Sequence, residues 1–271
     1  MTTPKVGLTI GSSDSSGAAG IQGDIKAMAS IGCYAQTVLV GVTAQNTTGV
    51  VARHTVPVEF VLTQLDTVLD DIEVDAVKVG MTWSREHIEA IGDRLANLGV
   101  PVVVDPVMVT AAGASLAGAD IGAAVLKHLF PVATVVTPNV DEARLLTGIA
   151  DGTPQQLAER LVQLGAPAAV VTCGGPDGGE WFADHGTSVA VSRPGHRSGA
   201  EHGAGCAHSA LIVGLLAHGL PLLAAVQEAT TRAAAGVRDG LVSLGRGVHP
   251  VDFLKLGEPF LFDASTTTEK P

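Results

Sequence analysis

The chain has 271 residues, of which 33 are glycine and only 3% aromatic, and a formal net charge of -11. Such a length and composition favour one close-packed α/β domain over a sandwich or a disulfide scaffold, and the acidic balance argues against nucleic acid or an anionic membrane as partner. Cys33, Cys173 and Cys206 form no metal-ligand pair, and neither a signal profile nor a membrane-length apolar run is present, so a cytoplasmic protein is expected.

In chain order, Lys5–Ile10 reads as a buried strand and Gly11–Gly20 as a Gly/Ser loop. Ile21–Ile31 is predicted helical, with Ile21, Ile25 and Met28 on one face. Thr37–Val42 is a second strand, running into a polar loop from Gln45 to Gly49, and Val58–Leu69 has helical apolar spacing. The alternation continues with strand Ala76–Val79, helix Ser84–Leu98, strand Pro101–Asp105, helix Ile121–Phe130, strand Thr134–Thr137 and helix Val140–Thr147. Helix Pro154–Leu164 and strand Ala168–Thr172 follow, then a hairpin over Glu180–Asp184 and Thr187–Val191. A polar loop, Ser192–Glu201, leads to helices Ala207–His218 and Leu222–Val242. Residues 1–262 are expected to form one domain, and 263–271, without apolar pattern, a disordered tail.

Repeated strand–helix units predict a mainly parallel sheet with helices on both faces, and ligands in such sheets bind beyond the strands' carboxyl ends. That rule gathers Ser12-Ser13-Asp14, Gln45-Asn46, Gly80-Met81, Asp105-Pro106 and Thr137-Pro138-Asn139 along one edge. Toward the C-terminus, His202-Gly203-Ala204-Gly205-Cys206 precedes an apolar helical run. Unpaired amides at such a terminus attract anions, and the same field favours the Cys206 thiolate. The arrangement suits phosphoryl transfer to an alcohol, with Cys206 as general base; a tight packing turn is the plainer reading.

Asn139 and Glu142 lie at i, i+3 and either hold the water shell of Mg²⁺ or form a capping box. Asp105, at a strand end, serves metal or phosphate, or merely starts a turn. Gln45 carries both a donor and an acceptor for the edge of an aminated heterocycle, unless it is simply solvated. Met81 walls an apolar pocket or belongs to the core. Asp24 and Lys26 are site groups or ordinary helix-surface charges.

Taken together, the motifs resemble those of the hydroxymethylpyrimidine/phosphomethylpyrimidine kinases, members of the ribokinase-like superfamily. The matches begin with Thr9-Ile10-Gly11-Ser12-Ser13-Asp14-Ser15-Ser16-Gly17 and run on through Ala18-Ala19-Gly20 to Asp24-Ile25-Lys26. They continue through Thr43-Ala44-Gln45-Asn46-Thr47, Lys78-Val79-Gly80-Met81, Val104-Asp105-Pro106-Val107-Met108 and Thr137-Pro138-Asn139-Val140-Asp141-Glu142. His202-Gly203-Ala204-Gly205-Cys206 and Gly245-Arg246-Gly247 complete the set.

The resemblance implies a ribokinase-like three-layer α/β/α sandwich and ATP-Mg²⁺ phosphorylation of a hydroxymethyl group on a pyrimidine, or of its monophosphate, for thiamine synthesis. By position, Gln45 meets the pyrimidine's amino edge, with Gly11, Ala19, Asp24, Met81 and Val107 around it. Asn139, Thr172, Cys173, Gly175 and Gly205 fall on the ATP side, and Asp105 and Glu142 on the metal. Gly203, Ala204, Gly205 and Cys206 match the anion hole and base, and a homodimer is implied.

Three positions depart from the family pattern. Cys173-Gly174-Gly175 stands where a lysine normally precedes the two glycines, Ala204 and Ala207 each replace a threonine, and Ala112-Gly113-Ala114 lacks an acid. These losses keep two alternatives open: a kinase of pyridoxal or a related heterocyclic alcohol, and a ligand-binding pseudokinase. Lys78 and Arg246 are the candidates to restore the missing charge.

Overall fold

The computed structural model describes residues 3–108, 119–173, 179–191 and 198–258. Its centre is a sheet of nine strands ordered β3-β2-β1-β4-β5-β6-β7-β8-β9. The strands are β1 (Lys5–Asp14), β2 (Cys33–Asn46), β3 (Gly49–Thr55), β4 (Ala76–Val79) and β5 (Val102–Val104), then β6 (Val135–Val136), β7 (Ala168–Val171), β8 (Glu180–Asp184) and β9 (Ser188–Val191). The five pairings among β2, β1, β4, β5, β6 and β7 are parallel, and β3, β8 and β9 are added antiparallel at the two edges.

Helices cover both faces, the three-layer α/β/α arrangement expected. One face carries α2 (Val58–Asp71), α3 (Arg85–Leu95), α4 (Ala119–Ala124), α5 (Val140–Thr147) and α6 (Pro154–Gln163), with Leu65, Ile88, Ile91, Leu157 and Leu161 sealed against the sheet. The other carries α1 (Gly20–Ala29), α7 (Ala204–Ala217) and α8 (Leu222–Arg238). Helix α7 is apolar all round because it lies between the sheet and its neighbours, contacting β1, β4, β5, α1 and α8. Leu211, Ile212 and Val213 are fully buried there. Each such side chain contributes about 1.5–3 kcal/mol on transfer from water. The α7 amino terminus is thereby fixed against the sheet.

Several boundaries differ from expectation. Strand β1 runs on to Asp14 and β2 to Asn46, because Ser12, Ser13 and Asp14 pair in parallel with Gly41, Val42 and Thr43 past a bulge after Gly11. Strand β3 had no apolar signal, since its residues from Ala52 to Thr55 are exposed on the sheet edge. The expected helix 121–130 is a short α4 followed by a π turn, Val125–Leu129, and a 3₁₀ turn, Phe130–Val132, where Pro131 ends regular geometry. Helix α7 begins three residues early, after Gly203 at φ 88°. Helix α8 stops at Arg238, short of Gly240, where a side chain would strike Ala200. The Gly245-Arg246-Gly247 segment clasps the β2–β3 tip: the Arg246 and Gly247 amides both donate to Thr47 Oγ1 at 3.2 Å. The expected tail 263–271 lies outside the described residues.

Candidate active site

Strand order reverses at β1, with β2 on one side and β4 on the other, so the crevice beyond β1 is where an open α/β sheet binds ligands. The carboxyl ends of β1, β2, β4 and β5 and the first turn of α7 enclose a cavity of about 250 Å³ there. Two glycines let its walls close. Gly20 at φ 55° and Gly203 at φ 88° adopt left-handed backbone. A Cβ on Gly203 would collide with the Ala18 carbonyl, so the two loops meet backbone to backbone.

The first turn of α7 faces this cavity. Ala204 spends its N–H on the Glu201 carbonyl (3.1 Å), and Ala207 donates to Gly203 (2.9 Å). Helix geometry therefore leaves Gly205 and Cys206 as the first-turn donors for an anion, a smaller cradle than the sequence suggested.

Lys78, 1% exposed, rises from β4 beneath the same turn. Its Nζ lies 2.6 Å from Asp24 Oδ1 and 3.5 Å from Asp105 Oδ2, and it donates to the Cys206 carbonyl at 2.9 Å. Burial, the largest single influence, would push this lysine down, but the Asp24 charge and hydrogen bond and the other negative groups around it together outweigh burial and hold the ammonium above the ordinary lysine range. Thr9 Oγ1 donates to the other Asp24 oxygen at 2.6 Å, so Asp24 faces the cavity with its carboxylate already engaged. Ser209 Oγ, one turn along α7, donates to Asp105 at 2.8 Å.

Cys206 corrects an expectation. Burial pushes its thiol up to about 12; the Lys78 charge opposes this, and the Asp105 and Asp24 carboxylates reinforce it. In this cavity, burial and the two carboxylates thus work against the helix-terminal field that the sequence invoked, although the residue keeps some exposure at the cavity wall.

At the end of β1, the Asp14 carboxylate accepts from the Ser16 and Ala19 amides at 2.8 and 3.0 Å. His202 Nε2 lies 3.3 Å from Asp14 Oδ2 and 3.1 Å from Gln45 Nε2. Burial by itself would raise Asp14, but the His202 and Ser16 hydrogen bonds win and hold it at about 2. Gln45 Oε1 sits 3.2 Å from Thr43 Oγ1, which also reaches the Ser13 carbonyl at 3.1 Å.

Asn139 and Glu142 form the capping box: Asn139 Oδ1 accepts from the Glu142 amide and Glu142 Oε2 from the Asn139 amide, each at 2.9 Å. Yet Glu142 is only 3% exposed and also lines the cavity. Burial, then the Asp105 charge, raises its carboxyl to about 8. Glu142 and Asp105 line the same cavity with hard oxygen donors, and a raised Glu142 carboxyl is one that a divalent cation such as Mg²⁺ would stabilise in its ionised form. No group of three or more metal-ligating side chains exists among the described residues. Water and ligand oxygens would complete any such shell.

Of the predicted site residues, Gly11, Ala19, Asp24, Gln45, Met81 and Val107 line the cavity, as do Asp105, Asn139, Glu142, Thr172 and Gly203 through Cys206. The Val107 amide is committed to the Asp105 carbonyl at 2.8 Å. Cys173, half-buried after β7, is not in the lining. Gly175 and the Ala112-Gly113-Ala114 segment lie outside the described residues. Neither candidate stands in the cavity as a free cation: Lys78 is spent on two carboxylates, and Arg246 is exposed and not in the cavity lining. Sequence reasoning missed the Asp14–His202 pair and the Lys78 cluster. A lysine inside a four-residue strand with no other polar member was the available signal for the latter.

The phosphomethylpyrimidine kinase family model matches residues 14–252. A hydroxymethylpyrimidine/phosphomethylpyrimidine kinase of Rhizobium meliloti is 41% identical over 91% of this chain and 96% of its own. That of Streptomyces coelicolor is 38% identical over 92% and 94%. Among solved structures, a Staphylococcus aureus pyridoxal kinase in complex with AMP-PCP and pyridoxal superposes with a TM-score of 0.84 at 28% identity, over 93% of this chain and 94% of that one. A phosphomethylpyrimidine kinase of Clostridium difficile gives 0.72 at 32% identity, over 83% and 96%. With its ordered motifs converging on one crevice of a ribokinase-like fold, this chain belongs to the phosphomethylpyrimidine kinase family.

Proposed function

We propose that the chain transfers the terminal phosphoryl group of ATP to the hydroxymethyl group of an aminopyrimidine, 4-amino-5-hydroxymethyl-2-methylpyrimidine or its monophosphate, in thiamine synthesis. The observation that carries this reading is that Gln45 and the Gly205–Cys206 turn line the same cavity. A donor–acceptor amide at one wall and an anion-binding helix terminus at the other are what a heterocyclic alcohol and a phosphoryl group require. The relatives' names point the same way.

Phosphoryl transfer runs through a loose transition state, so positioning and charge stabilisation matter more than a strong base. Gln45 holds the ring edge, Met81 covers the ring, and the Gly205 and Cys206 amides receive the developing charge. As a neutral thiol, Cys206 is a hydrogen-bond partner for the acceptor hydroxyl; to serve as the base it would first pass its own proton to water, leaving a thiolate that takes the hydroxyl proton as the P–O bond forms. Asp105 and Glu142 would hold Mg²⁺, which when bound spreads phosphate charge. The family resemblance also supports a single domain over 1–262, a homodimer and a cytoplasmic location. Among the described residues, no helix is long and apolar enough to cross a membrane.

A pyridoxal kinase is the second reading, favoured by the 0.84 superposition. Identity to that protein is 28%, against 41% to the pyrimidine kinase. ADP release with Mg-ATP, measured over hydroxymethyl heterocycles and their monophosphates, separates the two. Turnover on the aminopyrimidine is expected; turnover on pyridoxal alone selects the second reading, and none on any heterocycle leaves a ligand-binding pseudokinase.

A further inference from the structure

We infer that the Asp14–His202 pair fixes the direction of the Gln45 amide, and so decides which way round a substrate ring lies in the cavity. This rests on the reading of Gln45 as the ring-binding residue. Asp14 and His202 are positioning residues here, because they act through Gln45.

As placed, Gln45 Nε2 faces His202 Nε2 at 3.1 Å, while Asp14 Oδ2 lies 3.3 Å from the same ring nitrogen. An ionised carboxylate only accepts, so the nitrogen beside it must carry a proton. Asp14 is ionised at any physiological pH. A protonated Nε2 cannot accept from an amide nitrogen. The two ends of an amide have nearly the same shape, so their partners decide which is which. Turning Gln45 over satisfies every group. Its Oε1 then accepts from His202 Nε2–H, and its –NH₂ donates to Thr43 Oγ1, whose own proton goes to the Ser13 carbonyl.

The consequence is directional. His202 immediately precedes the Gly203 cap of α7, so the amide's acceptor end lies on the α7 side and its donor end on the β1–β2 side. A ring with an amino group next to a ring nitrogen pairs with both ends in one orientation only: amino toward α7, ring nitrogen toward Thr43. In 4-amino-5-hydroxymethylpyrimidine the hydroxymethyl carbon is bonded to the ring atom beside the amino-bearing one. The orientation that satisfies Gln45 therefore also carries the hydroxyl toward Cys206. The reversed amide would bind the ring turned away from the phosphoryl site.

The test reads binding, not turnover. Calorimetry compares 4-amino-5-hydroxymethyl-2-methylpyrimidine with its des-amino analogue in the wild-type chain, in Asp14→Asn and in His202→Phe. The second variant leaves the Asp14 contacts to Ser16 and Ala19 in place if the first misfolds. The wild type should prefer the amino compound by about tenfold or more, and each variant by about twofold or less. A merely structural defect weakens both ligands together and leaves their ratio unchanged. Nitrogen-15 NMR of the ligand-free wild type should show the His202 proton on Nε2. A preference that survives in the variants, equal binding by the wild type, or a bare Nε2 overturns the inference. An amino preference in a chain that turns nothing over supports the orienting pair and sinks only the kinase reading.

Discussion

Lys78 Nζ and Asp24 Oδ1 lie 2.6 Å apart, with side chains 1% and 2% exposed, directly beneath the turn expected to bind phosphate. A buried ion pair of this kind fixes geometry more than it adds net stability. Here it ties β4 and α1 together and, through the Cys206 carbonyl, anchors α7. Its charge is consequently not available to ATP.

Removing the cation alone should be costly. Lys78→Met leaves Asp24 and Asp105 buried without their counter-charge, and a loss of about 3–5 kcal/mol in urea denaturation is expected. The double variant Lys78→Met/Asp24→Asn should recover part of that loss, since Ser209 still holds Asp105. Equal losses in the single and double variants would show that the pair is not coupled.

Cys206 should behave as an unreactive thiol. With its titration raised to about 12, its thiolate fraction at pH 7 is far below that of an ordinary cysteine, whose unperturbed value is about 8.5. Alkylation by iodoacetamide at pH 7.5, followed by mass spectrometry, should label Cys206 more slowly than a free cysteine and faster as pH rises. Cys206→Ala should lower kcat by about 10²-fold with little change in KM, the low end for loss of proton handling. Rapid labelling at neutral pH would restore the thiolate reading.

The sheet and the location of the site were legible because both depend on local signals. Apolar runs alternated with helical spacing, and the polar residues fell at strand ends, where Gln45 and Asp105 indeed share a cavity. Strand β3 was not legible: an exposed edge strand is paired by backbone ladder bonds, which leave no apolar period. The sign of the Cys206 shift was missed for another reason. The helix-terminal field is written in the neighbouring sequence, whereas Asp24 and Asp105 arrive from distant strands and helices and, with burial, outweigh it. Asn139 shows the opposite case, since a capping box is local and the N-x-x-E spacing already offered it as one of two readings.

Acid sensitivity should trace to Asp14. Its carboxyl is held at about 2 in the folded chain against about 3.9 when unfolded, a contribution of about 2 kcal/mol. Because the folded value is depressed, that contribution is complete above pH ~4 and is lost as pH falls toward ~2. His202→Phe removes the main lowering contact, so its acid unfolding midpoint, followed by circular dichroism, should move to higher pH. An unchanged midpoint would mean that the Ser16 and Ala19 contacts suffice.

The strongest test of how this chain handles ATP is Cys173→Lys. Position 173 follows β7 and adjoins Thr172, which lines the cavity, and neither Lys78 nor Arg246 supplies a free positive charge there. An ammonium that reaches a bound phosphate adds a charge-assisted contact worth about 1.5–3 kcal/mol. The KM for ATP should therefore fall by about tenfold, with a smaller gain in kcat. Cys173→Met, which fills the position without charge, separates the added cation from the lost thiol. If the wild type is already fast and the lysine abolishes turnover, the chain has moved phosphate neutralisation elsewhere, and the cysteine marks where it left.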